Sequence, residues 1–80
     1  MPLRRVRFTF KTELIQRPVI YELGIKFGIV TNIRRAEVGQ ETGWVMLELE
    51  GAIEEIDRGL KWVASEGVEV STLEGDILAG

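Results

Sequence analysis

The sequence predicts an α+β domain in which the order of elements is strand, helix, strand, strand, helix, strand. Three observations in its second half carry that prediction. Residues 44–50, Trp-Val-Met-Leu-Glu-Leu-Glu, alternate so that Val45, Leu47 and Leu49 share one face of an extended strand. After Gly51 the period lengthens, and Ile53, Ile56, Leu60 and Val63 recur at three- and four-residue steps, which is one stripe of a helix. Residues 68–72 then alternate again and read as another strand.

Taken in order, residues 3–11 form the first strand, with Val6, Phe8 and Phe10 on one face and Arg5, Arg7, Thr9 and Lys11 on the other. The apolar face must be covered by helices. A turn over residues 11–16 leads to Arg17-Pro18, where Pro at the first helical position loses no intrahelical bond and presets φ. Ile20, Leu23, Gly24 and Phe27 form the stripe of the first helix, and Gly28 ends it. The second strand runs from Ile29 to about Val38, but its alternation slips: Ile29, Thr31 and Ile33 hold one phase, Ala36 and Val38 the other. A bulge or a bend near Arg34-Arg35 would account for the shift. Residues 39–43, with Gly at both ends, predict a five-residue turn that makes this strand and the next a hairpin. The second helix starts at Ala52 and closes at Glu66-Gly67, where Gly supplies a left-handed residue and Val68 covers the last turn. Residues 1–80 are one domain, and about residues 75–80, with little to bury, are expected to fray.

Two right-handed strand–helix–strand halves of this kind interlock into a ferredoxin-like βαββαβ fold: a four-stranded antiparallel sheet with two helices on one face. The strands starting at Leu3 and Trp44 are then central neighbours. Their other face has no helix cover and carries Arg5, Arg7, Thr9 and Lys11 beside Trp44, Met46, Glu48 and Glu50. Opposite charges there pair across strands, at roughly 0.2–1 kcal/mol each. Trp44 and Met46 mark that face as a dimer or ligand surface.

Composition narrows the function. A chain of 80 residues buries only somewhat over ~60% of its unfolded surface, which leaves room for one core and no enclosed active site. Without Cys there is neither a disulfide nor a thiolate-held zinc or iron–sulfur cluster, and without His the commonest general base and metal ligand are missing. Glu54, Glu55 and Asp57 lie within one helical turn, but carboxylates at a helix start are favoured by its dipole and solvated there. No catalytic role is expected. No apolar run approaches the ~20 residues that span a bilayer, and the N-terminus lacks the core of a signal peptide, so the cytoplasm is the expected location. The net charge of -3 conceals an asymmetry: residues 1–40 carry eight basic against three acidic side chains, residues 41–80 two against ten. A basic half neutralising an acidic half across the sheet is the plain reading; a basic nucleic-acid surface is the sharper one. Ferredoxin-like sheets also bind RNA by stacking bases on aromatics, but Phe8 and Phe10 should be buried, Glu48 and Glu50 repel phosphate, and the pI of 4.9 weighs against it.

The run Phe27-Gly28-Ile29-Val30-Thr31-Asn32-Ile33, the strand at residues 43–51 and the ending at residues 60–70 resemble the NIL domain in spacing, glycine positions and order. That family takes its name from an Asn-Ile-Leu step, present here as Asn32-Ile33 with Arg34 in place of Leu. The resemblance implies a ferredoxin-like domain related to ACT regulatory domains. Such domains occur at the C-terminus of the ATPase subunit of methionine importers, where they dimerise and bind methionine to inhibit transport, and also fused to iron–sulfur ferredoxins. This chain has neither a Walker A motif nor Cys, so neither the ATPase nor the cluster is present. The implied function is a free-standing regulatory module that senses methionine or a related amino acid and acts in trans on a transporter or sulfur-metabolism protein.

The resemblance places Asn32 at the ligand position, where its amide offers donors and an acceptor to the carboxylate and ammonium of an amino acid. Its alternative role is to satisfy backbone groups at the strand bend. Ile33, Met46 and Trp44 would form an apolar wall for a thioether, with sulfur beside an aromatic ring gaining roughly 0.3–1.5 kcal/mol. The same residues also serve as plain dimer contacts. Trp62 lies opposite the stripe of its helix and is expected to cover the helix edge. The expected assembly is a homodimer through the open sheet face or an edge strand. A protein-interaction module without a small ligand, partnering a ferredoxin or a transporter, is the competing reading.

Overall fold

The first strand, β1 (Leu3–Lys11), has one apolar and one charged face, so it needs a covering layer on one side only. In the computed structural model, which describes residues 2–14 and 17–73, it gets that layer from two helices. A 3₁₀ turn at Thr12–Leu14 follows, then α1 (Val19–Phe27), β2 (Val30–Val38), β3 (Thr42–Glu50), α2 (Ile53–Ser65) and β4 (Glu69–Thr72). The strands form one antiparallel sheet in the order β2-β3-β1-β4, the ferredoxin-like arrangement that the sequence predicts.

Register explains the core. β1 and β3 pair along their whole length, from Leu3 opposite Glu50 to Lys11 opposite Thr42, which sets Val6 beside Leu47 and Phe8 beside Val45. These side chains, with Phe10 and Leu49, point at Val19 and Leu23 of α1 and Ile56 and Val63 of α2, and Ile29 and Val68 close the ends. Phe8, Leu23, Leu47 and Leu49 are fully buried, each stabilising the fold by ~1.5–3 kcal/mol. The helices meet closely at Gly59, where an added Cβ would lie 2.7 Å from Leu23 Cδ1 and 3.0 Å from Ile29 Cδ1. At the end of α2, Gly67 takes φ 100°; its N–H donates to the Ala64 carbonyl at 3.0 Å and the Val68 N–H to the Val63 carbonyl at 3.4 Å. Buried Val68 covers that turn as expected.

The bulge expected near Arg34-Arg35 is present. Pairing runs Ile33 to Leu47 and then Arg35 to Met46, so Arg34 is the inserted residue.

Several details differ from expectation: β2 starts at Val30 and α2 at Ile53, each one residue later than expected. Pro18 is the N-cap of α1, with ψ 60°, and accepts the Glu22 N–H through its carbonyl; the ring still fixes φ, but helical ψ begins one residue later. The turn of the hairpin is shorter, at residues 39–41, because Thr42 and Gly43 join the ladder opposite Lys11 and Phe10. Of the second helix's stripe, Ile53 is exposed, and Gly59 takes its place in the inter-helix contact. The fraying expected of about residues 75–80 lies outside the described residues.

Candidate functional site

Alternation puts every second residue of each strand on the face that the helices leave open, and register sorts these residues into rows across the sheet. One row runs Asn32, Glu48, Arg5; the next Arg35, Met46, Arg7, Ser71; the third Glu37, Trp44, Thr9, Glu69. The Leu73 N–H donates to the Arg5 carbonyl at 3.3 Å and prolongs the first row.

Charge is paired within this face. Arg5 Nε donates to Glu48 Oε2 at 3.0 Å, directly across β1 and β3, and the Glu48 side chain is only 15% exposed. The Arg7 guanidinium lies over the Trp44 ring, 4.5 Å from its centroid, and screens it from water. Arg7 Nε is shielded in turn and finds no hydrogen-bond partner among the described residues; the π-face of the ring is its neighbour instead. Trp44 and Met46 are thus half-buried by their own surroundings, and neither is among the large exposed apolar groups. Phe8 and Phe10 lie in the core, on the other side.

A trough of about 230 Å³ crosses the open face and is lined by Arg5, Arg34, Met46, Leu47, Glu48 and Leu73. Arg5 and Arg34, the Glu48 carboxylate and the apolar residues Met46, Leu47 and Leu73 surround one small space. Asn32, directly opposite Glu48, stands beside it on the same face. Of the expected ligand residues, Asn32, Trp44 and Met46 therefore share a face and Met46 lines the trough. Ile33 does not join them: it pairs with Leu47 and projects to the helix side. Arg34 and Leu73 were not foreseen; the bulge was the signal for the first, and the second lies one residue past the strand.

A second cleft, of about 160 Å³, lies on the helix side where α1 begins and β2 ends, among Phe10, Val19, Ile20, Tyr21, Val38 and Val45. At its rim Arg17 bonds Glu66, at the end of α2, and pairs with Glu22 of α1 at 3.2 Å. The Arg17 pKa is raised, chiefly by the Glu66 hydrogen bond, with burial opposing and Glu22 adding. The stability linked to a raised pKa is present below the unfolded value, so Arg17 holds both carboxylates across the range where proteins work. Trp62, half-buried, packs 5.9 Å from Phe27 and carries the Lys26 ammonium 4.9 Å from its ring centroid, so it does cover the helix edge. Of the exposed large apolar groups, Tyr21 and Val38 line this cleft, while Ile25, Val30, Ile33 and Ile53 do not, and Val30 lies on the open face opposite Glu50.

The family model described as the NIL domain matches residues 4–72, from the first strand through the last. The chain belongs to the NIL domain family. This NIL domain is similar to the crystal structure of the C-terminal domain of an ABC transporter ATP-binding protein from Enterococcus faecalis, with a TM-score of 0.78 and 18% identity over 91% of this chain and 86% of that one. It is also similar to the de novo designed protein Foldit4, at a TM-score of 0.57 and 13% identity, covering 89% of this chain and 91% of that one. An amidase of the hydantoinase/carbamoylase family from Burkholderia phymatum aligns at a TM-score of 0.61 and 12% identity, over 94% of this chain but 28% of its own. At these identities the likeness is one of fold alone. A search among curated proteins returns no match.

Proposed function

We propose that this NIL domain is a small-ligand-binding regulatory module that senses methionine or a related amino acid, works as a homodimer and acts on a transporter or a sulfur-metabolism protein. Its role is binding and not catalysis. Membership of the NIL family supports the regulatory reading, and the fold it shares with a domain of an ABC transporter ATP-binding protein is compatible with a transporter as target. Among the described residues no helix is long and apolar enough to cross a membrane.

The observation that carries the ligand reading is the trough on the open face. A free amino acid presents a carboxylate, an ammonium and a side chain within a few bonds of one another. Arg34 suits the carboxylate, Glu48 the ammonium and Met46 with Leu73 an apolar side chain, while the Asn32 amide supplies a donor and an acceptor beside them. About 230 Å³ is below the ~300–1,000 Å³ of drug-sized pockets, which fits a ligand this small.

The test is thermal unfolding in the presence of L-methionine. At ~100 times Kd a ligand adds ~2.7 kcal/mol, and in a domain of this size each kcal/mol moves Tm by ~4–8 °C, so a rise of roughly 10 °C or more is expected at saturation. Asn32→Ala should abolish that rise while leaving the unliganded Tm near its original value, because Asn32 is exposed. No response to methionine or to a panel of other amino acids would remove the ligand from this account. The competing reading, a protein-interaction module partnering a ferredoxin or transporter, is favoured by the exposed Tyr21, Ile25, Ile33 and Val38, and would then stand alone.

A further inference from the structure

We infer that the trough on the open face takes an amino acid whose side chain ends in a second carboxylate, held by Arg35 beside Met46. The inference rests on the trough as the ligand site proposed above and adds the charge of what fills it.

Charge is laid out unevenly on the open face. Two neighbouring rows, Asn32-Glu48-Arg5 and Arg35-Met46-Arg7-Ser71, with the bulged Arg34 between them, hold four guanidinium groups and one carboxylate. The other described carboxylates of the face stand outside these rows. Glu50 lies one row before, opposite Val30 and Leu3, and Glu37 and Glu69 lie one row after, with Trp44. A chain whose net charge is -3 thus gathers four of its seven arginines around one small trough. Such a concentration of one sign favours an anion.

Two of the four are already engaged. Arg5 donates through Nε to Glu48 at 3.0 Å, and Glu48 is the one carboxylate in the two rows. Arg7 is laid on the Trp44 ring, 4.5 Å from its centroid. Arg34 and Arg35 are exposed, and neither has an ion-pair partner among the described residues. An amino acid with an uncharged side chain answers only one of them: its carboxylate suits Arg34, its ammonium suits Glu48, and Arg35 keeps its charge uncompensated.

The sheet sets the step from one cation to the other. Arg35 is paired with Met46, which lines the trough, and neighbouring strands lie ~4.8 Å apart, so Arg35 stands at the rim of the trough. Met46 lies two residues, ~6.7 Å, along β3 from Glu48. A short unbranched side chain that starts at Glu48 and crosses Met46 spans this step, with its methylene groups against the thioether and its end at Arg35. There a guanidinium can meet a carboxylate with two parallel N–H donors. A longer acid would run on toward Glu37 and Trp44 in the next row and be repelled by the first of them.

The test is isothermal titration calorimetry of the full chain with L-norleucine and L-α-aminoadipate, which differ only in that the terminal methyl of the first is a carboxylate in the second. L-α-Aminoadipate should bind about tenfold more tightly. Arg35→Gln should reduce that ratio to near one, and Arg35→Lys, which keeps the charge but loses the fork, should leave it between the two. Arg35 is exposed, so circular dichroism should be unchanged in both variants. Norleucine binding as tightly as aminoadipate would overturn this inference and leave the trough as a site for an uncharged side chain. An advantage that survives Arg35→Gln would overturn the assignment to Arg35. Binding of L-methionine but of neither probe would overturn the inference as well, and binding of none of the three would overturn the ligand reading itself.

Discussion

β2 and β3 are the same length, lie side by side and are hydrogen-bonded to each other, yet β3 buries Gly43, Val45, Leu47 and Leu49 while β2 buries nothing. The contrast is sharpest within one cross-strand pair. Leu47 is 1% exposed; Ile33, directly opposite on the same helix-covered side, is 53% exposed. Their side chains are of similar size and apolar character, so what differs is what lies above them. α1 and α2 close over the central pair β1 and β3, and the outer strand runs beyond their shelter. Burial in this domain is set by a strand's place in the sheet more than by its own hydrophobicity.

Substitutions break or sharpen that contrast in a definite order. Leu47→Ala should cost ~2–5 kcal/mol, seen as a collapse of the denaturation midpoint in urea, because a cavity opens in a core with little freedom to close it. Gly59→Val, which drives a branched side chain into Leu23 and Ile29 and lifts the roof over the central strands, should cost ~1–3 kcal/mol by the same measurement. Ile33→Ala should change stability by no more than about 0.5 kcal/mol when the domain is dilute enough to be monomeric. A loss at Ile33 comparable to that at Leu47 under those conditions would mean that β2 is sheltered after all, and the comparison would fail.

The same contrast separates what the sequence makes legible from what it does not. The alternation of Val45, Leu47 and Leu49 and the three- and four-residue steps through Ile56, Leu60 and Val63 report phase, and phase was enough for the element order, the fold and the bulge at Arg34. Phase does not report neighbours. Ile33 and Val38 look like core positions in the sequence because nothing there says that no helix lies above them. The site divides in the same way. Asn32, Trp44 and Met46 share a face because the period of a strand puts them there. Ile33 was grouped with Asn32 on family resemblance alone, against the rule that consecutive strand residues point to opposite faces. The place of Arg34 in the trough is not legible in the sequence, because the side chain of a bulged residue follows neither phase.

The far edge of the sheet bears on what kind of assembly this fold tolerates. β4 has four residues and matches β1 only from Val6 to Thr9, so it offers an incoming strand less than half the length that β2 does. A molecule with two long open margins could add copies without limit and grow into a fibre. Two copies joined edge to edge through β2 would use up the long margins and leave only the short ones outside, so any association through β2 would close at a pair.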